Sequence, residues 1–488
     1  MWDWQRGDVL ASYTPNSIDF PAVVWGTLWA GGIVSPANPA YTPEELAFQL
    51  KDSGAKALIT QAAFLTNAQA AAKIAGIPND RIIVLGDERA PNNKHFTNIQ
   101  NISRSTRYLR TKARPDKDIA FLVYSSGTTG HPKGVMLTHR NIVSNILMLS
   151  AGEAGNLSPQ GGPDGKGDRL LTFLPFFHIY GLTCVVHYTL YAGLRTYVQA
   201  QFNLERFCQI IQDNKIAFAY VVPPVVLALA KSPVVDKYDL SSIRMINSGA
   251  APLTHEIVDA LYASRKIKVK QGYGLSETSP TTHTQPWEDW KRTCGSIGRL
   301  LPNQVAKFVG PDEKELPAGE TGELYIKGPN VFLGYLNNEV GTKNALTEDG
   351  FFRTGDIGHV DKEGNFYITD RAKELIKYKG FQVPPAELEG VLMANPDIDD
   401  VCVIGVYDPN QATEVPRAYV VPKKGVPGNP ATEKKIVDWM ATKVASHKKL
   451  RGGVKFTDAI PKTASGKILR RVLKEQAKTE DAAVKARL

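Results

Sequence analysis

The ten residues Ser125-Ser-Gly-Thr-Thr-Gly-His-Pro-Lys-Gly134 hold four hydroxyl side chains and one lysine. Gly127 and Gly130 let the backbone turn tightly and bring its N–H groups close to a ligand. Ser125, Ser126, Thr128 and Thr129 add donors, and Lys133 adds a compact positive charge. Donors, flexibility and a cation together are what a polyphosphate requires. The run is not a Walker A loop, because only two residues separate Gly127 from Gly130 and Lys133 is followed by glycine. A Ser/Thr/Gly-rich surface turn has the same composition, so the flanks decide. The apolar run Ile119 to Tyr124 enters the loop as a strand. Thr138 then begins a helix with apolar positions Ile142, Ile146 and Leu149. The expectation is strand, loop, helix, the recurrent geometry of a phosphate site.

The elements that must carry this loop are legible on both sides of it. Candidate strands are Ala57 to Thr60, Arg81 to Leu85, Leu170 to Leu174, Ala217 to Val222 and Ile243 to Asn247. Amphipathic helical stretches lie between them, such as Leu204 to Gln212 and Thr254 to Ala263. Near-continuous apolar strands with intervening helices predict an α/β fold, with parallel sheets flanked by helices. From about Cys294 to Thr369 short alternating runs, such as Val305 to Val309 and Gly322 to Lys327, are separated by Gly and Pro turns. That pattern predicts an antiparallel unit, a small β-barrel over about 294–370. After Asp370-Arg371, helical and strand patterns alternate at closer spacing and predict a small α+β domain. The expected division is an N-terminal domain over 1–371 and a C-terminal domain over 372–488.

Composition narrows the class. A chain of 488 residues is too long for one core. Lys plus Arg number 58 against 49 for Asp plus Glu, a formal charge of +9. No dense basic run or basic-aromatic stripe accompanies that excess, so no nucleic-acid partner is expected and phosphate-bearing small molecules account for it. The four cysteines form no C-x-x-C pair, which argues against a zinc site or a disulfide framework. No run is long enough to span a bilayer. The C-terminal Ala486-Arg487-Leu488 matches the small-basic-leucine form of the peroxisomal address, with a cytoplasmic location as the alternative.

Tyr124-Ser-Ser-Gly-Thr-Thr-Gly-His-Pro-Lys-Gly-Val-Met-Leu-Thr-His139 resembles the signature of the adenylate-forming superfamily. That superfamily contains acyl-CoA synthetases, 4-coumarate–CoA ligases, beetle luciferases and peptide-synthetase adenylation domains. The resemblance continues through Gln271-Gly-Tyr-Gly-Leu-Ser-Glu277, Tyr367-Ile-Thr-Asp-Arg371 and Pro461-Lys-Thr-Ala-Ser-Gly-Lys467, in family order. It implies an acid–CoA ligase using ATP, Mg2+ and coenzyme A. A carboxylic acid and MgATP would give acyl-AMP and pyrophosphate, and coenzyme A would then give acyl-CoA and AMP.

The resemblance also assigns residues. Ser125, Ser126, Gly127, Thr128, Thr129, Gly130 and Lys133 would cradle the β- and γ-phosphates. Glu277 would ligate magnesium; read alone it serves equally as a helix-cap carboxylate. Ser276 stands where the family has threonine and keeps the hydroxyl. Gln271, Gly272 and Tyr273 would border the adenosine, with Tyr273 stacking on the base and Gly249 and Ala250 packed beside it. Asp356 would accept both ribose hydroxyls and Arg371 would hold the same ribose. Lys467 would bridge carboxylate and α-phosphate during adenylation. Lys377 and Gln382 would serve the second half-reaction from the opposite face of a mobile small domain, with Lys379 and Gly380 against coenzyme A and Lys373 as the hinge.

The acid is read from Phe176-Phe-His-Ile-Tyr-Gly-Leu182, which resembles the segment lining the acyl pocket. His178, Tyr180, Cys184, Asn247, Gly249, Gly274, Pro280 and Thr281 are the candidates there. The set carries no formal charge apart from a histidinium, which favours a small aromatic (cinnamate- or phenylacetate-like) or fatty acid. The chain is expected to act on it as a monomer or homodimer. Two departures stand out: Gln201 replaces a lysine that related ligases use near coenzyme A, and the phosphate loop comes early, as if the usual N-terminal start were lacking. The alternatives are a stand-alone adenylation module, a luciferase-like oxygenase and a catalytically impaired nucleotide-binding homologue.

Overall fold

The computed structural model describes residues 3–100, 111–125, 132–379, 381–409, 411, 413–463 and 466–485. The large N-terminal part holds two mixed sheets. The first runs in the order Gly334–Tyr335, Lys133–Thr138, Ile119–Ser125, Ile33–Ala37, Val9–Tyr13, Ala55–Gln61, Ile82–Leu85, Lys94–His95. From Ile119–Ser125 to Lys94–His95 every pairing is parallel. The strands there are near-continuous apolar runs, as strands covered on both faces must be. The second sheet runs Arg299–Leu300, Thr281–Thr284, Val269–Gly274, Met245–Ser248, Phe218–Val221, Arg169–Thr172, Arg195–Val198. It is parallel except where Thr281–Thr284 and Arg299–Leu300 turn back.

The helix His139–Glu153 joins the two sheets. Ile142, Ile146 and Leu149 are buried in one continuous core with Phe121 and Val135 of the first sheet and Phe218 and Ile246 of the second. Thr138 caps this helix, its Oγ1 accepting from the Asn141 N–H at 3.2 Å.

The expected strand–loop–helix order is corrected here. Residues after the loop form a second strand, Lys133–Thr138, antiparallel to Ile119–Ser125, with Ser125 opposite Lys133 and Ile119 opposite Thr138. The reason lies in Lys133-Gly-Val-Met-Leu-Thr138, whose Val135 and Leu137 are fully buried and so extend the sheet. The residues on either side of the loop therefore form a hairpin, and the helix N-terminus lies at the far end of its second strand.

The antiparallel unit expected over 294–370 is a four-stranded sheet in the order Val305–Val309, Gly322–Lys327, Phe352–Val360, Phe366–Arg371. Gly298 bridges Phe366 and ties in the preceding segment. The C-terminal part has its own core, built from the hairpin Ile376–Tyr378 and Phe381–Val383, the sheet Ile398–Asp408, Thr413–Pro422, Val454–Phe456, and the helices Pro385–Met393, Pro430–Ala441 and Arg470–Lys485. Among the described residues no helix is long and apolar enough to cross a membrane.

Candidate active site

Lys133, at the start of the hairpin's second strand, lies with Nζ 5.0 Å from the centre of the Tyr335 ring. A cation over an aromatic face is held without being neutralised. Tyr335 reaches this position through the two-residue edge strand beside the hairpin. Its hydroxyl donates to Glu277 Oε1 at 2.8 Å. Glu277 is buried, on the short turn Ser276–Thr278 that follows the strand Val269–Gly274. One lysine and one carboxylate thus meet through a shared tyrosine.

The next cluster is built by three strands of two sheets, Val269–Gly274 of one and Phe352–Val360 and Phe366–Arg371 of the other. Tyr273 donates its hydroxyl to Asp356 Oδ2, and Arg371 Nε lies 3.2 Å from Asp356 Oδ1. Asp356 and Arg371 are paired across the antiparallel ladder, so their separation is fixed by backbone register. Burial, and then the Asp356 charge, push the Tyr273 hydroxyl well above its ordinary range. Tyr273 therefore stays a donor.

Lys467 comes to these residues from the C-terminal part. It sits on a hairpin closed by the Lys462–Ile468 bridge and by Thr463 N–H donating to Lys467 O at 2.8 Å. Burial, then the charge of Arg371, push the Lys467 ammonium down to about 8, against the pull of Asp356, Glu374 and Glu277. Those influences mark where it stands, among the groups at the nucleotide-type cluster. Behind it Arg470 is bolted to Glu374 at 2.6 Å and Glu389 at 2.5 Å. His178 is held near a pKa of about 4 by burial and then by the Lys467 charge, so it is neutral at pH 7.

The acid-pocket candidates fall together. Tyr180 donates to Asn247 O at 3.2 Å, and Cys184 Sγ lies 3.5 Å from Thr281 Oγ1. A side chain on Gly249 would put its Cβ 3.2 Å from the Tyr180 ring, and one on Gly274 would meet Pro280 O at 2.1 Å. Close approach thus requires glycine at 274, and at 249 a side chain would make the Tyr180 ring give way by a few tenths of an ångström. Tyr220, Asn247 and Lys270 stand in line across three parallel strands, so their side chains share one face. Among the described residues the buried Tyr220 hydroxyl and Asn247 Oδ1 have no hydrogen-bond partner.

Comparison with known proteins places this geometry. The AMP-binding enzyme profile matches residues 3–336, and the AMP-binding enzyme C-terminal domain profile matches residues 387–467. The chain belongs to the AMP-binding enzyme family. It is accordingly an enzyme, of a family of ATP-dependent ligases. A probable 4-coumarate–CoA ligase 1 of Dictyostelium discoideum is 42% identical over 487 residues, covering 96% of this chain and 86% of that protein. ATP-bound MatB from Rhodopseudomonas palustris superposes with a TM-score of 0.85 at 30% identity, covering 98% of this chain and 90% of that one. The anthranilate CoA ligase AuaEII in complex with anthranoyl-AMP gives 0.87 at 25% identity, covering 98% and 89%.

In this AMP-binding enzyme the second lysine set stands apart from the first. Lys377 faces Gln382 across the small hairpin, and Lys373, Lys377, Lys379 and Gln382 are all exposed. Lys377 is tied through its backbone N–H to Glu414 at 2.8 Å, and Lys379 takes a left-handed φ of 45°. Gln201 is exposed as well. Gln271 is tied to the scaffold, its N–H donating to Gln285 Oε1 at 2.7 Å. Gly272 packs beside Asn247, Ser276 begins the Glu277 turn, and Ala250 takes a left-handed φ of 71°. Ser126, Gly127, Thr128, Thr129, Gly130, Gly380 and the Ala486-Arg487-Leu488 end lie outside the described residues.

Sequence reasoning missed Tyr335, whose strand is two residues long and carries no periodicity. It also missed Asp52, which accepts the Tyr124 hydroxyl at 2.6 Å, and Arg470, whose carboxylate partners Glu374 and Glu389 are remote in the chain.

Proposed function

We propose that this enzyme is an acid–CoA ligase for a small aromatic acid of the cinnamate or phenylacetate kind. The observation that carries the reading is Lys467, presented by the C-terminal part among Asp356, Arg371 and Glu277 and beside His178. In this arrangement an acid lying against Tyr180 and Gly249 has its carboxylate near a lysine that also faces the phosphate side.

The carboxylate oxygen would attack the α-phosphorus of ATP, and the bond to pyrophosphate would break. Lys467 offsets the charge that gathers between the two anions, while Arg371 and Asp356 hold the ribose. Neutral His178 orients the acid without repelling the ammonium. Lys133 and the hydroxyls of the loop before it bind the leaving phosphates.

Magnesium fits this donor set. Glu277 offers one buried carboxylate whose Oε1 is oriented by Tyr335. Among the described residues no cluster of three or more His, Cys, Asp or Glu side chains stands ready for a metal. That is the habit of this ion, which takes one or two carboxylates and fills its remaining positions with phosphate oxygens and water. Glu277 would hold it, and bound magnesium would screen the charge of the departing pyrophosphate.

In the second half-reaction the coenzyme A thiol attacks the acyl carbonyl, losing its proton, and AMP leaves. Lys377, Lys379 and Gln382 lie exposed while Lys467 is engaged, which supports a swing of the C-terminal part about Lys373 between the two steps. For the acid, the unpartnered Tyr220 hydroxyl and Asn247 Oδ1 favour a molecule whose far end carries one polar group, such as a phenol, over an alkyl chain.

The test is turnover by purified protein with MgATP, coenzyme A and a panel of cinnamates, phenylacetates and fatty acids. AMP and pyrophosphate release are followed with and without coenzyme A, with Lys467→Ala as control. AMP formation requiring one aromatic acid and lost in the variant supports the reading. Preference for fatty acids would overturn the substrate class, and turnover independent of coenzyme A would overturn the ligase.

A further inference from the structure

We infer that Gly390 is a positioning residue for the adenylation half-reaction: its close contact with Thr254 helps to dock the C-terminal part on the large part so that Lys467 lies over the nucleotide. The inference rests on the acid–CoA ligase reading above.

Gly390 sits in the middle of the helix Pro385–Met393, where glycine weakens a helix relative to alanine. Its surroundings account for it. A Cβ built on Gly390 would lie 2.7 Å from Cγ2 of Thr254, a residue of the large part. Thr254 occupies the N-cap of the helix His255–Arg265, where a threonine hydroxyl ordinarily accepts a backbone N–H of the first turn. Here it makes no cap bond, and among the described residues its buried Oγ1 has no partner. The Thr254 methyl leans into the space above Gly390 instead. Docking thus uses the methyl and forgoes the cap.

The contact is one of several between the two parts: a side chain on Gly466 would meet Val222 and Pro224, and the Ala386 N–H donates to Asp370 Oδ2 at 3.0 Å. Beside Gly390 lies a cleft of about 250 Å³, with Leu227, Lys231 and Ile257 on one side and Met393 and Ala394 on the other. A group inserted at Gly390 presses on Thr254 and tilts the C-terminal part against these other contacts.

That tilt reaches Lys467 through a short rigid path. Glu389, next to Gly390, holds Arg470 at 2.5 Å and accepts from the Val403 N–H at 2.8 Å. Arg470 closes the segment that carries Lys467. In the proposed thioester-forming arrangement the C-terminal part has turned, so the Gly390–Thr254 contact is not made. A bulkier residue at Gly390 should then slow the first half-reaction alone.

The experiment measures pyrophosphate release and, separately, acyl-CoA formation from supplied acyl-adenylate. It compares the unsubstituted protein with Gly390→Ala, Gly390→Val, Thr254→Ser and Gly390→Ala combined with Thr254→Ser. Thr254→Ser keeps the hydroxyl and removes Cγ2. Gly390→Val is expected to lose about tenfold or more in pyrophosphate release, as misplacement by about an ångström costs, while the thioester step stays within about twofold. Gly390→Ala should show a smaller loss that the added Thr254→Ser restores. Equal losses in both half-reactions, or full adenylation by Gly390→Val, would overturn the inference. A wild-type protein inert in both half-reactions would overturn the ligase reading and this inference with it.

Discussion

Asp356 and Arg371 face one another across an antiparallel ladder, Nε to Oδ1 at 3.2 Å, at the last residue of the large part's final strand. Tyr273 occupies the other Asp356 oxygen. A buried carboxylate fixed by register and flanked by a guanidinium and a phenol can accept two neighbouring hydroxyls with little rearrangement. Asp356→Asn keeps the shape and removes the charge. Losing charge-assisted hydrogen bonds costs about 1.5–3 kcal/mol, so the KM for ATP should rise roughly 10- to 100-fold while the KM for coenzyme A holds. Pyrophosphate release against ATP concentration checks it, and an unchanged KM for ATP would remove Asp356 from the nucleotide site.

Lys467 gives the reaction a pH dependence. Burial, then Arg371, bring its ammonium down to about 8. In the proposed mechanism the charged form offsets the carboxylate and phosphate, so activity is expected to be full below that value and to fall as pH rises through it. The kcat/KM for pyrophosphate release should decline about tenfold per pH unit on the alkaline side, as a single deprotonation requires. Lys467→Arg, whose side chain does not deprotonate, should be slower and flat over the same range. An alkaline limb that persists in Lys467→Arg would assign it to another group.

Much of this site was legible because its strands are long apolar runs and its motifs follow them. Val305–Val309 and Gly322–Lys327 appear with their expected limits, since period-two alternation is unambiguous there. The hairpin was misread as strand, loop and helix because Thr138 is a sound helix cap. What the sequence hid is that a whole strand, Lys133–Thr138, fits between loop and cap. Lys270 was invisible for a different reason. In Lys266-Ile-Lys-Val-Lys270 it continues an alternation of lysine and apolar residues that reads as a solvated edge, yet its side chain is fully buried. Its partner, Glu153, is remote in the chain, and no local pattern encodes such a pair.

Lys377 should show the reverse of the Lys467 phenotype. It is exposed on the hairpin Ile376–Tyr378 and Phe381–Val383, while Lys467 is half-buried. Lys377→Ala is expected to form acyl-adenylate at close to the wild-type rate and to slow acyl-CoA formation about tenfold or more, the usual size of a lost catalytic contact. Quenched-flow separation of the two products reads this directly as accumulation of acyl-adenylate. Equal slowing of both steps would mean that Lys377 acts on the fold or on both reactions.

The buried pair Lys270–Glu153 decides a question of stability. Nζ and Oε1 are 2.8 Å apart with both side chains almost entirely out of solvent, and Trp287 Nε1 donates to Glu153 Oε2 at 2.6 Å. Lys270→Met leaves Glu153 buried with no counter-charge, a change that costs about 3–5 kcal/mol. Adding Glu153→Leu removes the stranded carboxylate and should recover most of that loss, because two apolar side chains of similar volume need no desolvation. Denaturant unfolding followed by tryptophan fluorescence tests both, and Trp287 should report the lost acceptor in the double variant alone. A double variant no more stable than Lys270→Met would show that the site depends on the ion pair itself, as part of the in-line row with Tyr220 and Asn247 beneath the acid pocket.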